Sequence, residues 1–410
     1  MDADVGVNEL GFTYMRGEFA HSGFPEISFD KMASVLVERG YKVARVEQTE
    51  TPDMMTERCK RIKATKFDKV VRREICQITN RGTQVFGSQC MITPNHQPNY
   101  MLAIVEQQSL PSKSGCTYGI CFIDTSIGDF YLGEFDDDSN CSRLHTLLSH
   151  NMPVLVVLEK SNIKEKTQEI MRTVLGGVLK EYLPNMGSGQ CSAEKTLKEL
   201  AESYYIDNWP LVLRTMQAES DHLGLTPHNN SKLALKALGL CINYMKKCHV
   251  AEKVIPMARY HLYQPPDTLA MNKIDMSEKN QRAHMVLDAT TLMNLRITGE
   301  EHSLQATLDQ CCTKFGKRLL HYWLCAPSCV LTTIKDRQKA ITDFLNDTSL
   351  LQEFRALMAP LPDFERHLAQ IHHFGSKVVH ENHPDGRAIF FEEKIYNKKK
   401  IQVFMRILKQ

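Results

Sequence analysis

Near the amino end of the chain, apolar residues recur with the spacing of a helix that buries one face. These residues are Phe29, Met32, Ala33 and Leu36. Ser28 is a suitable N-cap before the stripe, and Gly40 suits the end of the helix because glycine readily adopts a positive φ. Residues 41–46 then alternate as in a short strand, and Thr51 followed by Pro52 predicts the start of another helix. This first region is therefore predicted to be a small mixed α/β domain.

The middle of the chain begins with strand patterns and continues with helical ones. Residues 117–123 and 130–135 are apolar runs on either side of a polar, glycine-containing turn, which predicts a β-hairpin. Residues 154–158 predict a buried strand, and residues 231–248 have apolar positions at helical spacing. The preceding stretch 94–111 is largely polar and contains prolines, so we expect a linker or a long hairpin connection there.

From about residue 282 onward the sequence predicts helices and no strand. Apolar stripes at helical spacing cover residues 285–295, 304–308, 315–324 and 401–408. Pro327 is expected to stop the third stripe, and Thr333 with Asp336 is expected to form a capping box at the start of a further helix. The last third is therefore predicted to be all-helical and extended.

These patterns predict several domains, as expected for 410 residues, a length that usually exceeds one hydrophobic core. The predicted domains cover residues 1–88, 89–265 and 266–410. The predicted fold class is multidomain α/β plus all-α: a mixed α/β domain, an α/β domain that opens with a hairpin, and an extended helical region.

Composition and charge give no global indication of a partner. Lys plus Arg is 50 against 48 for Asp plus Glu, so the net charge is only +2 and a polyanionic partner must be argued from local charge. The amino end is acidic, unlike a signal peptide. The sequence also has no run of about 18 apolar residues, the length that a helix needs to span a bilayer. We therefore expect no membrane contact and a cytoplasmic or nuclear location.

The cysteines and histidines do not predict a metal site. The cysteine number, 13, is odd in a large chain, which favours reduced thiols, and no pair has the two-residue gap of a zinc knuckle. Five histidines near the carboxyl end lie among charged and polar neighbours, so we expect a solvent-exposed face. They are His367, His372, His373, His380 and His383.

Nucleotide chemistry is not expected from this chain. A phosphate-binding loop needs the pattern G-x-x-x-x-G-K-[ST], whose glycines let backbone N–H groups surround the phosphates. The nearest imitation, residues 187–196, ends in Lys195 and Thr196 but has Glu194 where the second glycine must be. A carboxylate there would repel phosphate, so no catalytic, cofactor-binding or metal-binding residue is assigned.

One set of carboxylates leaves a nuclease open. Asp124 and Asp129 lie at the predicted hairpin turn and Glu159 follows the next predicted strand, as in an RNase H-like domain that holds two Mg²⁺ ions. Aspartates that flank a turn are also what turn chemistry alone favours. Both interpretations remain open from the residues themselves.

Local charge points more clearly to nucleic acid. Between Arg58 and Arg81 there are nine basic residues and two acidic ones, a net of +7. Such a density suits a phosphate backbone, although a solvated surface or a patch for an acidic partner would have the same composition. The basic residues are Arg58, Lys60, Arg61, Lys63, Lys66, Lys69, Arg72, Arg73 and Arg81.

Several segments resemble the MutS family of DNA mismatch repair proteins, in the family's order and over essentially the whole chain. The first is K-V-A-R-V-E-Q-T-E-T-P, and another is D-T-S-I-G at the predicted hairpin turn. The segments are residues 42–52, 70–75, 82–83, 124–128, 287–295 and 313–320. The resemblance implies a partial mismatch-binding domain, an RNase H-like connector domain without nuclease activity, and an incomplete helical lever domain.

The resemblance also implies a function for the whole protein. It would recognise mispairs or small loops in duplex DNA as a heterodimer with a second MutS homologue, signal to MutL-type proteins, and act in the nucleus. ATP and Mg²⁺ would be used by an ATPase domain that we expect outside this chain, so the chain itself would not be an enzyme and would hold no cofactor. A purely structural scaffold for protein partners stays open as the alternative.

One departure from the family concerns the motif that contacts the mispair. The family's Phe-x-Glu motif is missing from the chain and is expected upstream of it. Phe24-Pro25-Glu26 is not a substitute, because this segment matches a different loop near the DNA, Ser22-Gly23-Phe24-Pro25. The predicted DNA-binding residues are Ser22, Gly23, Phe24, Arg58, Lys60, Arg61, Lys63, Arg72 and Arg73.

Overall fold

The structure of the chain is a computed structural model. It describes residues 2–62, 64–85, 97–108, 115–160, 163–184, 192–205, 208–219, 221, 223–268, 284–299, 301–376, 383–389, 397–398, 401–402, 404–405 and 408.

The first region is a small mixed α/β unit, as predicted. Its helices and strands are α1 (Asp2–Leu10), α2 (Phe29–Glu38), β1 (Val43–Gln48), α3 (Pro52–Arg61) and β2 (Arg73–Thr79). β1 and β2 pair antiparallel, so that Val43 lies opposite Thr79 and Gln48 lies opposite Arg73. The basic segment therefore leaves the sheet by α3 and returns to it at the start of β2.

The predicted helix boundaries in this unit are confirmed. Ser28 is the N-cap of α2, and Gly40 has a φ of +91° just beyond the end of that helix. Thr51 is the N-cap of α3, where its side chain accepts a hydrogen bond of 3.2 Å from the backbone N–H of Met54. Pro52 follows at the first helical position, where its missing N–H costs nothing.

The second region is built on a six-stranded mixed sheet. Its strands are β3 (Tyr100–Gln108), β4 (Cys116–Asp124), β5 (Asp129–Asp137), β6 (Pro153–Glu159), β7 (Leu179–Leu183) and β8 (Arg259–Leu262). They lie side by side in the order β7-β6-β3-β4-β5-β8. The hairpin β4–β5 is antiparallel, while β3 with β6, β6 with β7, and β5 with β8 are parallel. The predicted hairpin and the buried strand at 154–158 are confirmed.

The expectation of a linker or hairpin connection over residues 94–111 is wrong. Residues 100–108 form β3, an interior strand of the sheet, which pairs with β4 on one side and β6 on the other. Met101 through Val105 are all buried, because this strand is covered on both faces. Such a strand has no alternation of apolar and polar residues, and the flanking prolines dominated the pattern.

Helices cover both faces of this sheet. They are α4 (Ser142–His150), α5 (Glu165–Val174), α6 (Ala193–Ser203), α7 (Leu211–Thr215), α8 (Lys232–Lys247) and α9 (Ala251–Val254). The core on one face includes α6 and α8, and the core on the other includes α4 and Met171 of α5. Gly119 of β4 allows α8 to approach closely, since a Cβ there would collide with the backbone of Leu233.

The last third is helical, as predicted. Its helices are α10 (Ala289–Asn294), α11 (Leu304–Leu308), α12 (Lys314–Cys325), α13 (Leu331–Asn346), α14 (Thr348–Met358), α15 (Phe364–Gly375) and α16 (Pro384–Arg387). The expected capping box at Thr333 and Asp336 is wrong, because α13 already begins at Leu331 with Val330 as its N-cap. The predicted helix at 401–408 lies largely outside the described residues.

The expectation of a solvent-exposed histidine face is wrong for two of its members. His367 and His383 are buried, and each ring donates to a backbone carbonyl: Nδ1 of His367 to Asp363 at 2.9 Å, and Nε2 of His383 to His249 at 3.0 Å. Their partners lie on the same helix turn or in a distant part of the chain, so polar neighbours in sequence did not imply exposure. His380 lies outside the described residues.

Candidate nucleic-acid interface

The end of α3 places two cations in solvent. Lys60 and Arg61 lie in its last turn and are exposed, and the side chain of Arg61 is 81% accessible. Arg61 lies 3.7 Å from Glu57 one turn earlier, a contact between two exposed side chains that contributes little stability. Both cations are therefore available to a phosphate backbone. Lys63, predicted to act with them, lies outside the described residues.

Arg58 is held differently from its neighbours. Its guanidinium donates from Nε and Nη2 to the two carboxylate oxygens of Glu50, at 2.7 and 2.9 Å. Nη2 also donates to the backbone carbonyls of Asp68 and Val70, both at 3.1 Å. The hydrogen bonds from Arg58 hold the pKa of Glu50 below its usual value. These contacts join the start of α3 to the return of the loop before β2, so Arg58 shapes the segment that presents the other cations.

Four further cations of the segment line the loop and the start of β2. They are exposed, and no acidic side chain pairs with them in the described part of the chain. They are Lys66, Lys69, Arg72 and Arg73. Lys66 and Lys69 were left out of the predicted site although the same run of charge contains them, so the signal for them was present.

Both acidic residues of the segment already accept hydrogen bonds from other side chains. Asp68 accepts from the backbone N–H of Thr65 at 2.8 Å and from its hydroxyl at 2.6 Å, which closes a short turn in the loop. Glu74 accepts from the Thr49 hydroxyl at 2.7 Å and from Arg387 at 2.8 Å. Because these carboxylates are engaged, the surface between α3 and β2 is dominated by uncompensated positive charge.

The predicted DNA loop at Ser22, Gly23 and Phe24 lies beside α1. Gly6 of that helix leaves space for Ser22, since a Cβ at Gly6 would meet the Ser22 hydroxyl oxygen at 2.6 Å. The Phe24 ring packs at 5.5 Å from Phe12 and is 37% exposed. Within the described residues no hydrogen bond or ion pair joins this loop to the basic segment. The structure therefore places the two predicted DNA elements on one domain without bringing them into contact.

A turn next to this loop presents an aromatic side chain that the sequence pattern did not indicate. Met15 and His21 form an isolated antiparallel bridge, with the Met15 N–H donating to the His21 carbonyl at 2.8 Å. Phe19 lies in the turn between them and is 81% exposed. Exposed aromatic rings can stack on bases, so Phe19 is a further candidate for contact with nucleic acid.

The carboxylates considered for a nuclease have structural roles. Asp124 is buried, and its Oδ1 accepts from the backbone N–H and the hydroxyl of Ser126 at 2.9 and 2.6 Å, which shapes the hairpin turn. Asp129 lies 2.6 Å from Nε of Arg259 on the neighbouring strand.

Glu159, the third carboxylate, pairs with Lys236 of α8 at 3.0 Å. Two of the three acidic groups thus already face a cation, which does not support the nuclease interpretation. Among the described residues no cluster of His, Cys, Asp and Glu has the geometry of a metal site.

The described part of the rejected phosphate-loop imitation does not fit a nucleotide. Lys195 and Thr196 lie in the first turn of α6, and the Thr196 hydroxyl donates to the carbonyl of Ser192 at 3.0 Å. Thr196 is buried against Gly239 of α8, so it cannot coordinate a phosphate-bound cation.

The eleven cysteines that the structure describes are free thiols. None of the described helices combines the length and the apolarity needed to cross a bilayer.

Three domain descriptions of one family match the chain in consecutive ranges. MutS domain I matches residues 1–87, MutS domain II matches residues 99–253, and MutS domain III matches residues 290–402. The first range contains the basic segment, the second contains five of the six strands of the central sheet, and the third contains most of the helical region.

Relatives with curated names agree with this match. "Probable DNA mismatch repair protein Msh6" of Drosophila melanogaster is 70% identical over 416 residues, which cover 100% of this chain and 35% of the relative. "DNA mismatch repair protein Msh6" of Gallus gallus is 47% identical and that of Homo sapiens is 44% identical, with 100% of this chain and 32% and 31% of those proteins covered.

The chain spans about a third of the length of the curated relatives that it matches. The shared name of these relatives agrees with the likeness of residues 42–52, 70–75 and 82–83 to the sixth eukaryotic MutS homologue. The order of the three domain matches, their coverage and the observed α/β and helical architecture together show that the chain belongs to the MutS family, of which it contains domains I, II and III.

Proposed function

We propose that this chain is the part of a mismatch repair protein that contacts the sugar-phosphate backbone of duplex DNA. The observation that supports the proposal is a group of exposed cations from the end of α3 to the start of β2, in a chain whose net charge is only +2. Among the described residues, all of these cations except Arg61 lack an acidic partner. This group lies in the range that matches MutS domain I. Lysine and arginine side chains that neutralise phosphates release counterions, which favours binding without regard to base sequence.

We assign different roles to the predicted DNA-binding residues. Lys60, Arg61, Arg72 and Arg73 would contact phosphates, and Lys66 and Lys69 would join them. Arg58 would act through the loop that it holds, because its donors already face Glu50, Asp68 and Val70. Ser22, Gly23 and Phe24 would approach the duplex beside the exposed ring of Phe19. Such contacts position a protein on DNA without reading a mispair.

We further propose a role for the whole protein of which this chain is a part. The whole protein would recognise mispairs and small loops as a heterodimer with a second MutS homologue, and it would communicate with MutL-type proteins. Relatives named as DNA mismatch repair proteins support this role, and their eukaryotic sources support a nuclear location. ATP and Mg²⁺ would act in a part of the protein outside this chain, since Lys195 and Thr196 do not fit a nucleotide.

A scaffold for protein partners is the second candidate. Ile341 and Leu345 of α13 and Leu357 of α14 are large apolar side chains that remain exposed. Exposed apolar residues of this kind are common at protein interfaces. In this alternative the chain would bind partners and would not bind DNA.

Duplex binding at low salt separates the two candidates. The chain is titrated into a labelled matched duplex and binding is followed by fluorescence anisotropy. We expect saturable binding that is lost when Lys60, Arg61, Lys66 and Lys69 are all changed to Glu. A control variant with two reversals, Lys335→Glu and Lys339→Glu, changes exposed lysines on α13 and should bind like the wild type. Equal binding by both variants would contradict the proposed interface.

A further inference from the structure

Residues 383–389, far along the chain, lie against the two-stranded sheet of the first domain. The backbone N–H of Ile389 donates to the carbonyl of Gln48 at 2.8 Å, at the end of β1. Arg387 forms an ion pair of 2.8 Å with Glu74, the second residue of β2. Both contacts fall at the end of the sheet from which the basic segment extends.

The same residues also contact the connector domain. His383 accepts from the backbone N–H of Asp385 through Nδ1 at 3.1 Å, which caps α16, and donates through Nε2 to the His249 carbonyl. Asp385 lies 2.6 Å from Nζ of Lys253, which belongs to α9 of the connector. The segment therefore touches two domains at once.

Asp385 is the centre of this contact. Arg45 of β1 forms an ion pair with its Oδ1, while Lys253 pairs with its Oδ2 and also donates to Gln77 of β2 at 2.8 Å. Only 3% of the Lys253 side chain is exposed. A lysine is almost never buried to this extent unless a counter-charge accompanies it. Although burial alone would raise the pKa of Asp385, the Lys253 and Arg45 cations hold it well below its usual range.

The opposite end of the sheet has its own attachment. Asn80, just after β2, donates to the Tyr244 hydroxyl at 2.9 Å, and Ile78 donates its N–H to the Cys248 carbonyl at 2.9 Å. These contacts hold the last residues of β2 on the connector. They leave the end at Gln48 and Arg73 to be fixed by something else, and this is the end that residues 383–389 contact.

We propose that residues 383–389 form a clasp that locks the first domain onto the connector, with Asp385 as the shared counter-ion of Arg45 and Lys253. The clasp fixes the end of the sheet that presents the basic segment, so it sets the position of the DNA-contacting surface relative to the rest of the molecule. This consequence for DNA rests on the function proposed above. The contact itself does not depend on it.

Within the clasp, we expect substitution of Asp385 to have the largest effect, because both Arg45 and Lys253 pair with it. Replacing it by Asn removes the carboxylate that pairs with buried Lys253 and leaves Arg45 with only its longer contact to Glu47, at 3.3 Å. A buried charge that loses its partner is strongly unfavourable. Asp385→Glu keeps the charge and should partly restore the contact. Lys42 and Glu181 also pair between the same two domains, but the Lys42 side chain is 46% exposed, so Lys42→Met is expected to have little effect.

Hydrogen exchange measured by mass spectrometry on the 410-residue chain tests the clasp. Asp385→Asn is compared with Asp336→Asn, which changes an exposed aspartate on α13. We expect at least tenfold faster exchange in residues 43–48, 73–79 and 251–254 for Asp385→Asn, partial reversal for Asp385→Glu, and no change in β4 and β5. Equal exchange in the Asp385 and Asp336 variants would overturn the proposal.

Milder variants keep the test decisive if Asp385→Asn fails to fold. Ile389→Pro removes one backbone donor, and Ala388 before it is already extended at φ −65° and ψ 131°, as proline requires. Arg387→Ala removes only the ion pair with Glu74. Each should speed exchange in residues 43–48 and 73–79 by a smaller factor. Wild-type exchange in both variants would overturn the clasp.

Binding measurements on the full-length protein test the consequence for DNA. We expect Asp385→Asn to reduce the ratio of mismatched to matched duplex affinity at least threefold, while Asp336→Asn leaves it unchanged. A variant with faster exchange and an unchanged ratio would overturn the positioning role. If the wild-type protein bound no duplex, the proposed function would fail, while the exchange result would still decide whether the clasp exists.

Discussion

Arg58 donates two hydrogen bonds to the two carboxylate oxygens of Glu50, at 2.7 and 2.9 Å, within a segment whose other described cations are exposed. Two bonds to one carboxylate give geometric specificity as well as attraction. The same guanidinium reaches the carbonyls of Asp68 and Val70. One residue of the basic segment thus organises the surface on which its neighbours are displayed.

Stability and DNA binding should separate at Arg58 and Arg61. We expect Arg58→Ala to lower the melting temperature of the first domain, because Glu50 and two carbonyls lose their donor, and to weaken DNA binding because the loop loses its anchor. Arg61→Ala should weaken DNA binding and leave the melting temperature unchanged, since its side chain is 81% accessible. Scanning calorimetry and anisotropy on both variants check this. A melting temperature equal to the wild type in Arg58→Ala would contradict the structural role.

The stability of the connector should depend on Gly119. A Cβ at this position would collide with the backbone of Leu233, so Gly119→Ala must move α8 away from the sheet. We expect a loss of about 1–3 kcal/mol in the free energy of unfolding. Gly177→Ala is the control, because no neighbouring atom lies within 4 Å of the place that its Cβ would occupy. Urea unfolding followed by circular dichroism should show the loss only in the first variant.

Acid should remove the contribution of Asp385 to stability. Its pKa is lowered in the folded chain by Lys253 and Arg45 despite the opposing effect of burial, so the folded state resists its protonation. The contribution is therefore present above the unfolded carboxyl pKa of about 3.9 and is lost as the pH falls below it. We expect the difference in unfolding free energy between the wild type and Asp385→Asn to be about 3 kcal/mol near pH 7 and to shrink below about pH 4. A difference that stays constant down to pH 3 would argue against the ion pair.

This chain alone should neither prefer a mismatch nor hydrolyse ATP. Phosphate contacts carry no base information, and Phe24-Pro25-Glu26 resembles a loop of the family other than the Phe-x-Glu motif that contacts the mispair. Thr196 is buried in the segment that comes nearest to a phosphate-binding loop in the sequence. Competition between a matched duplex and one with a single G·T mispair should give equal affinities, and a phosphate-release assay should show no turnover. A clear mismatch preference would instead assign reading to Phe24 or Phe19.

Local patterns predicted the elements whose signals are local. The β4–β5 hairpin follows from two apolar runs around Asp124 and Gly128, where the glycine has a φ of +77°. The helix α8 follows from its regular apolar spacing. The strand β3 was missed because it is buried on both faces, and β7 and β8 were missed because short strands with polar residues depend on their neighbours for pairing.

The positive charge of the candidate site could be predicted from the sequence, but the arrangement of its side chains could not. The run of basic residues from Arg58 to Arg73 is visible in the sequence. The hydrogen bonds that Arg58 donates to Glu50 and Asp68 depend on how α3 packs against the loop. The convergence of Arg45 and Lys253 on Asp385 joins three distant parts of the chain. No periodicity or spacing rule relates residues so far apart, so only the folded structure shows that contact.

The salt dependence of duplex binding by the wild-type chain tests the central claim most directly. Each phosphate contacted contributes a slope of about −0.9 to a plot of log affinity against log salt concentration. Lys60, Arg61, Lys66, Lys69, Arg72 and Arg73 are all exposed, and several of them contacting phosphates at once predicts a slope of roughly −3 to −5. Changing Lys60, Arg61, Lys66 and Lys69 to Glu should flatten it. A slope near zero in the wild type, or one that the substitutions leave unchanged, would contradict a DNA interface between α3 and β2.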